Sequence, residues 1–163
     1  RHYVRHVAGG GVTLRPGVAR LLGAAREAGL RLAIATTTTR DNVIALLEAT
    51  LGAGSPAWFD ALGTAKEVPL KKPDPAVYLW VLAQLGLSAS AAIAFEDSAN
   101  GLRAARGAGL PCIVTPTAYT ADEDLSAATV RLPDLDRHPQ AAGRAVTLDD
   151  VRGWHAAADP FRA

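Results

Sequence analysis

No methionine occurs anywhere in the 163 residues, and cysteine occurs once, at Cys112. One thiol excludes an internal disulfide framework and fits a reducing compartment, so a cytoplasmic location is expected. A chain without methionine has no ordinary start residue, and these residues are expected to be part of a longer protein. Charge of neither sign prevails: 17 Lys and Arg stand against 16 Asp and Glu. That balance leaves no basic surplus to hold nucleic acid or an anionic membrane surface. Long apolar runs are also missing, and none approaches the ~20 residues that a bilayer-spanning helix needs.

What is present describes one globular domain. Apolar residues make up 49% of the chain and charged residues 20%, within the length range of about 100–200 residues over which one domain builds a core. Arg1 to Val12 is a basic stretch whose Gly9-Gly10-Gly11 reads as a helix stop and linker. Pro16 then sets a helix start, with Val18, Leu21, Leu22 and Ala25 at helical spacing. Leu30 to Ala35 is a short apolar run that reads as a strand buried on both faces, hence parallel.

The same rhythm repeats. Val43, Ile44, Leu46, Leu47 and Leu51 mark a helix, and Phe59 to Leu62 a short strand. A helix is expected over 74–85 with Val77, Val81 and Leu85 in register. Strands are expected over 91–95, 111–114 and 130–132, with a helix carrying Leu102, Ala105 and Ala108 between the first two. Thr147 with Asp150 can cap a terminal helix containing Val151 and Trp154. Strands alternating with helices of this length define an α/β fold with a doubly wound parallel sheet.

In such a sheet, ligands bind beyond the carboxyl ends of the strands. Those ends carry Thr36, Thr37, Thr38 and Thr39 after one strand and Glu96, Asp97 and Ser98 after another. Lys71-Lys72-Pro73-Asp74-Pro75 precedes a helix. Each group suits a phosphate and a hard cation. Adjacent carboxylates are costly to bury unless a cation neutralises them, and magnesium takes oxygen ligands while keeping several waters. A threonine hydroxyl can donate to phosphate oxygens, and a lysine offsets their charge. Taken singly, a Glu-Asp pair is more often a helix cap, a threonine run a turn and Lys-Lys-Pro a surface loop. Cys112 reads as a small core residue. His2, His6, His138 and His155 show no metal-ligand spacing and read as surface residues.

The three positions in this order resemble the motifs of the haloacid dehalogenase (HAD) superfamily. "LAIATTTT" is similar to its second motif, a strand ending in Thr or Ser, here Thr36. "KKPDPAVY" is similar to the third, a lysine before proline in a helix-opening loop, here Lys72. "IAFEDSANGLRAARGAGL" is similar to the fourth, an acidic pair followed by Ser-x-x-Gly, here Glu96 and Asp97. "VTLRPGV" resembles the linker returning from the mobile cap to the core. The match runs over about residues 12 to 118. Within the superfamily, "VPLKKPDPAVY", "FEDSANGL" and "IVTPTAYTADEDL" place it nearest the branch of phosphoglycolate phosphatases, β-phosphoglucomutases and CbbY-type phosphatases.

The resemblance implies a Rossmann-like core with residues 1–12 as the end of the cap helix and its linker, and 13–163 as the core domain. It implies a Mg2+-dependent phosphatase acting on a small phosphorylated sugar or sugar bisphosphate, with xylulose 1,5-bisphosphate as the substrate the CbbY-type branch suggests. Thr36 would bind the transferring phosphoryl group, helped by Thr37 and Thr38. Lys72 would pair with that group, and Glu96 and Asp97 would hold the metal. The family's nucleophile is the first Asp of an Asp-x-Asp-x-Thr motif, which forms an aspartyl phosphate. No such motif precedes Thr36, and Asp134-x-Asp136 lies after the fourth motif, where the topology cannot use it. The first strand, expected between the strands ending at Thr36 and Phe95, is therefore expected in an N-terminal segment of the intact protein, with the cap. Other readings are a phosphomutase on the same core, or a catalytically inactive phosphate- or partner-binding remnant. A dehalogenase needs no metal, so the Glu-Asp pair argues against it.

Overall fold

The computed structural model describes residues 12–158. Helices and strands alternate along them in the order α1 (Val18–Glu27), β1 (Ala33–Ala35), α2 (Arg40–Leu51), β2 (Ala61–Gly63), α3 (Ala76–Leu85), β3 (Ala94–Glu96), α4 (Ala99–Gly107), β4 (Cys112–Val114), β5 (Val130–Arg131) and α5 (Leu148–Ala157). Every strand pairing is parallel. Parallel neighbours require long crossovers, which α2 supplies between β1 and β2 and α4 between β3 and β4. The α/β class expected from the periodicity is the one observed. The residues assigned to the end of a cap helix lie outside the described part.

Side chains on alternate strand positions enter different layers, as the two-residue period of a strand requires. In β4, Cys112 and Val114 join Val77, Tyr78, Leu82, Leu102, Ala104 and Ala105 of α3 and α4 in one core cluster. Ile113 points the other way, into Leu21 of α1 and Val151 of α5. In β2, Leu62 packs on Val43 and Leu47 of α2. Gly63 faces α3 so closely that an added methyl would lie 2.8 Å from Val81. The strands thus lie between two helical layers, α1, α2 and α5 on one side and α3 and α4 on the other.

The strands form two separate ladders, β1–β2 and β3–β4–β5. This is where the structure departs from the expected strands. They are shorter than the apolar runs, with β1 starting at Ala33 rather than Leu30. β1 is half-buried along its length, where burial on both faces was expected, and Phe95 in β3 is 41% exposed. Both strands lack a hydrogen-bonded neighbour on one side among the described residues, which explains their exposure. The two histidines that fall in the described part also differ from expectation. The His138 side chain is only 9% exposed, and its ring stacks on Trp154 at 5.6 Å. His155 is half-buried. Cys112 is fully buried, as expected. Burial, with the nearby Glu96 carboxylate, pushes its thiol up to about 12.

Candidate functional site

β3 ends at Glu96, and the chain turns through Asp97 and Ser98 into α4. Ser98 caps that helix, its hydroxyl accepting from the Gly101 N–H at 3.3 Å. The helix must begin tightly against the carboxylate before it. A methyl built on Gly101 would overlap the Glu96 carboxylate, with Oε2 the closest atom and Oε1 at 2.9 Å. Glycine is therefore the residue that lets the first turn of α4 and the Glu96 side chain share this space.

Lys72 reaches the same place from the loop ahead of α3. Its ammonium donates to the Ala35 carbonyl at 3.0 Å, at the end of β1, and to Glu96 Oε1 at the end of β3. The lysine therefore bridges the ends of the two ladders. Tyr78, one turn into α3, donates its phenol to the same Glu96 oxygen, and its ring centroid lies 5.0 Å from the Lys72 ammonium. Lys72 and Glu96 side chains are only 15% and 8% exposed. Burial pushes the Tyr78 phenol far above its usual range, reinforced by the Glu96 charge. It stays a neutral donor wherever the protein is folded.

The threonine run divides its labour. The Thr36 N–H continues the ladder to the Gly63 carbonyl at 2.9 Å. Its hydroxyl oxygen accepts from the Thr38 N–H at 3.2 Å, which leaves the hydroxyl proton to donate elsewhere. Thr37 is exposed beside it. Thr38 is turned to structure: its hydroxyl accepts from the Asn42 side chain at 3.0 Å and its carbonyl from the Ala65 N–H at 2.9 Å. Thr39 caps α2.

Thr36, Thr37, Lys71, Lys72, Glu96, Asp97, Ser98, Asn100 and Gly101 line one cleft of about 320 Å3. Five of the six candidate residues are thus brought together. Thr38 does not line the cleft, because Asn42 and Ala65 hold it in the turn. Tyr78 and Gly101 complete the arrangement but were not singled out from the sequence. Gly101 had a signal in Ser-x-x-Gly, and Tyr78 had only its place beside Val77 on an apolar helix. Asp134, of the Asp-x-Asp pair, is buried and spent on Arg137 and on the Asp136 N–H. A hollow of about 400 Å3 bordered by Arg106, Thr129 and Trp154 has no carboxylate in its lining.

The donor set of the cleft fits magnesium. Asp97 is exposed, and its carboxylate pairs with no cation among the described residues. Glu96 is its neighbour, with one oxygen already neutralised by Lys72. No third His, Cys, Asp or Glu joins them among the described residues. One or two carboxylates with several retained waters is the usual protein share of a magnesium site. Two lysines and two carboxylates leave the lining formally neutral, so a dication and a phosphate dianion can enter together without a net charge left over.

The parallel α/β core thus gathers hydroxyls, an ammonium group and a carboxylate pair at its strand ends, where open parallel sheets bind their ligands. The chain belongs to the haloacid dehalogenase-like hydrolases, whose family pattern matches residues 2–109. It is 50% identical to the plasmid-borne protein CbbY of Cupriavidus necator, over 95% of this chain and 64% of that protein. It is 51% identical to CbbY of Rhodobacter capsulatus over 83% of this chain and 60% of that protein. The chain therefore spans about three-fifths of the length of these relatives. CbbY of Rhodobacter sphaeroides, solved as a point mutant with xylulose-(1,5)bisphosphate, superposes with a TM-score of 0.78 at 45% identity, over 80% of this chain and 58% of that one. A β-phosphoglucomutase of Clostridium difficile, 18% identical, shares the fold with a TM-score of 0.73. No described helix is long and apolar enough to cross a membrane.

Proposed function

We propose that the full-length protein is a cytoplasmic, magnesium-dependent phosphatase of small phosphorylated sugars, and that this chain supplies the phosphate- and metal-holding part of its site. The observation that carries the reading is the convergence of Thr36, Lys72, Glu96 and Asp97 on one cleft. Thr36 donates its free hydroxyl proton to the phosphoryl group, with Thr37 beside it. Lys72 offsets the charge of that group and of the attacking carboxylate. Asp97 ligates the metal, and Glu96, held by Lys72 and Tyr78, ligates it or orients one of its waters. Magnesium, when bound, neutralises charge on the phosphoryl oxygens.

The attacking aspartate belongs, by the family's pattern, to a strand outside this chain, and forms the aspartyl phosphate intermediate. We place that strand between β1 and β3. The two separate ladders, the half-buried β1 and the exposed Phe95 support this placement. So does Lys72, which reaches both strand ends. In this reading residues 13–163 form the remainder of the core, and 1–12 lead into it from the cap. The CbbY complex with xylulose-(1,5)bisphosphate makes that sugar bisphosphate the first substrate to test.

The test is phosphate release by the full-length protein from p-nitrophenyl phosphate and xylulose 1,5-bisphosphate, with magnesium and with a chelator. Release is expected with magnesium alone, and Asp97→Ala is expected to abolish it while leaving the circular dichroism spectrum unchanged. Turnover that ignores magnesium, or native turnover by Asp97→Ala, contradicts the proposal.

A further inference from the structure

The loop after β4 grips the acidic turn from outside the cleft. Thr120 donates its hydroxyl to the Asp97 carbonyl at 2.5 Å. Glu123 accepts from the Ala99 N–H at 2.5 Å. The two contacts fall on either side of Ser98, so the backbone from the Asp97 carbonyl to the Ala99 N–H is held at both ends. The loop is itself ordered by internal bonds. Thr117 N–H donates to the Thr120 hydroxyl oxygen at 2.9 Å, and the two hydroxyls lie 3.2 Å apart. A hydroxyl has one proton, and that of Thr120 is spent on Asp97, so Thr117 is the donor in the second contact. Leu125, 4% exposed, sinks into the core beside α4. At its start, Arg15 donates to the Thr115 hydroxyl at 3.0 Å and to the Pro116 carbonyl at 2.9 Å.

This grip meets a definite need. The first N–H groups of a helix have no partner within it. Ser98 serves Gly101, and Glu123 serves Ala99, where its charge also suits the helix N-terminus. Neither Thr120 nor Glu123 lines the cleft. Their only reach into it is through the backbone of residues 97 to 99.

We infer that Thr120 and Glu123 are positioning residues that set the direction of the Asp97 carboxylate into the cleft. The inference rests on the reading of Asp97 as the metal ligand. Groups that orient metal ligands from behind typically carry about 10–100-fold of metal affinity. The experiment is titration of the full-length protein, in the absence of substrate, with Mg2+ by calorimetry and with Mn2+ by electron paramagnetic resonance. The variants are Thr120→Val, Thr120→Ser, Glu123→Ala and Asp97→Asn. Amide exchange at Ala99 and Gly101 is followed in the metal-free proteins.

Thr120→Val and Glu123→Ala should each weaken metal binding by about tenfold or more, and Thr120→Ser should restore it. Glu123→Ala should also speed exchange at Ala99 more than at Gly101, whose N–H keeps Ser98. Weakened binding in Asp97→Asn beside native affinity in both Thr120→Val and Glu123→Ala overturns the positioning role alone. Native affinity in Asp97→Asn overturns the metal-ligand reading and this inference with it. Thr120→Ser folds with the same hydroxyl, so failure of that variant to restore affinity also counts against the role.

Discussion

Glu96 occupies the space where any side chain at position 101 would begin. A methyl built on Gly101 lies 1.9 Å from Glu96 Oε2 and 2.3 Å from its carboxyl carbon. Neither partner is free to yield: Glu96 is tied to Lys72 and Tyr78, and Gly101 is in the first turn of α4. Alanine is normally the better helix former by about 1 kcal/mol. In Gly101→Ala that gain is set against displacement of the carboxylate from the cleft. Displacements of about 1 Å at a reacting centre cost on the order of 100-fold in rate. We expect kcat of the full-length protein to fall by about that factor and the melting temperature to fall with it, because the displaced carboxylate loosens its ties to Lys72 and Tyr78. Native kcat in this variant would mean that the position of Glu96 is not critical.

Lys72→Met separates two roles of the lysine. It removes the only cation paired with Glu96 among the described residues, and that side chain is 8% exposed. Breaking a buried pair from one side leaves an uncompensated charge, at a cost of about 3–5 kcal/mol. If Lys72 also faces the phosphoryl group, turnover should fall by a further 100- to 1000-fold, roughly the value of one electrostatic group at such a centre. Denaturant unfolding reads the first effect and kcat of the folded fraction reads the second. Lowered stability with unchanged kcat would leave Lys72 a purely structural bridge.

Tyr78→Phe keeps the ring under the Lys72 ammonium and removes only the phenol that donates to Glu96. A hydrogen bond to a charged group contributes about 1.5–3 kcal/mol, so stability should fall within that range. The lysine still neutralises the carboxylate, and kcat should stay within about tenfold of native, the smaller loss expected when the counter-charge remains. A rate loss equal to that of Lys72→Met would show that the phenol, not the ammonium, fixes Glu96.

The meeting of Thr36, Lys72, Glu96 and Asp97 at one cleft was legible because the signals are local: Thr36, Glu96 and Asp97 stand at the ends of apolar runs and Lys72 just ahead of a helix, in an order that the family repeats. Tyr78 was not, since its hydroxyl finds Glu96 across 18 residues of chain and nothing in an apolar helix announces where a phenol will point. Thr38 looked equal to Thr36 and Thr37, but a run of identical residues does not reveal which of them the neighbouring Asn42 will claim. His138 was read as exposed because its spacing suits no metal. Its burial comes from Trp154, a helix away, whose ring covers it. The strand ends were misjudged for a similar reason: an apolar run does not show where a ladder begins and ends, because a ladder depends on which neighbours are hydrogen-bonded.

The cap of α5 gives a prediction in pH. Thr147 and Asp150 form the reciprocal capping box expected from their spacing, with aspartate where glutamate is usual. Arg144 grips the Asp150 carboxylate through both oxygens, at 2.7 and 2.8 Å. That contact first, and the Thr147 bonds after it, hold Asp150 far below the usual carboxylate range, against the opposing effect of burial. A carboxyl whose folded value is depressed stabilises the fold fully above its unfolded value, near 3.9, and loses that contribution as pH falls through the lower folded value. Asp150→Ala should therefore be less stable than the native chain at pH 7, by about 1 kcal/mol for the lost cap. The gap should narrow as pH falls below about 4. Paired denaturant titrations of the two proteins between pH 7 and pH 2 measure it. A gap that instead widens below pH 4 would show that the ionised carboxylate is not what holds this end of the helix.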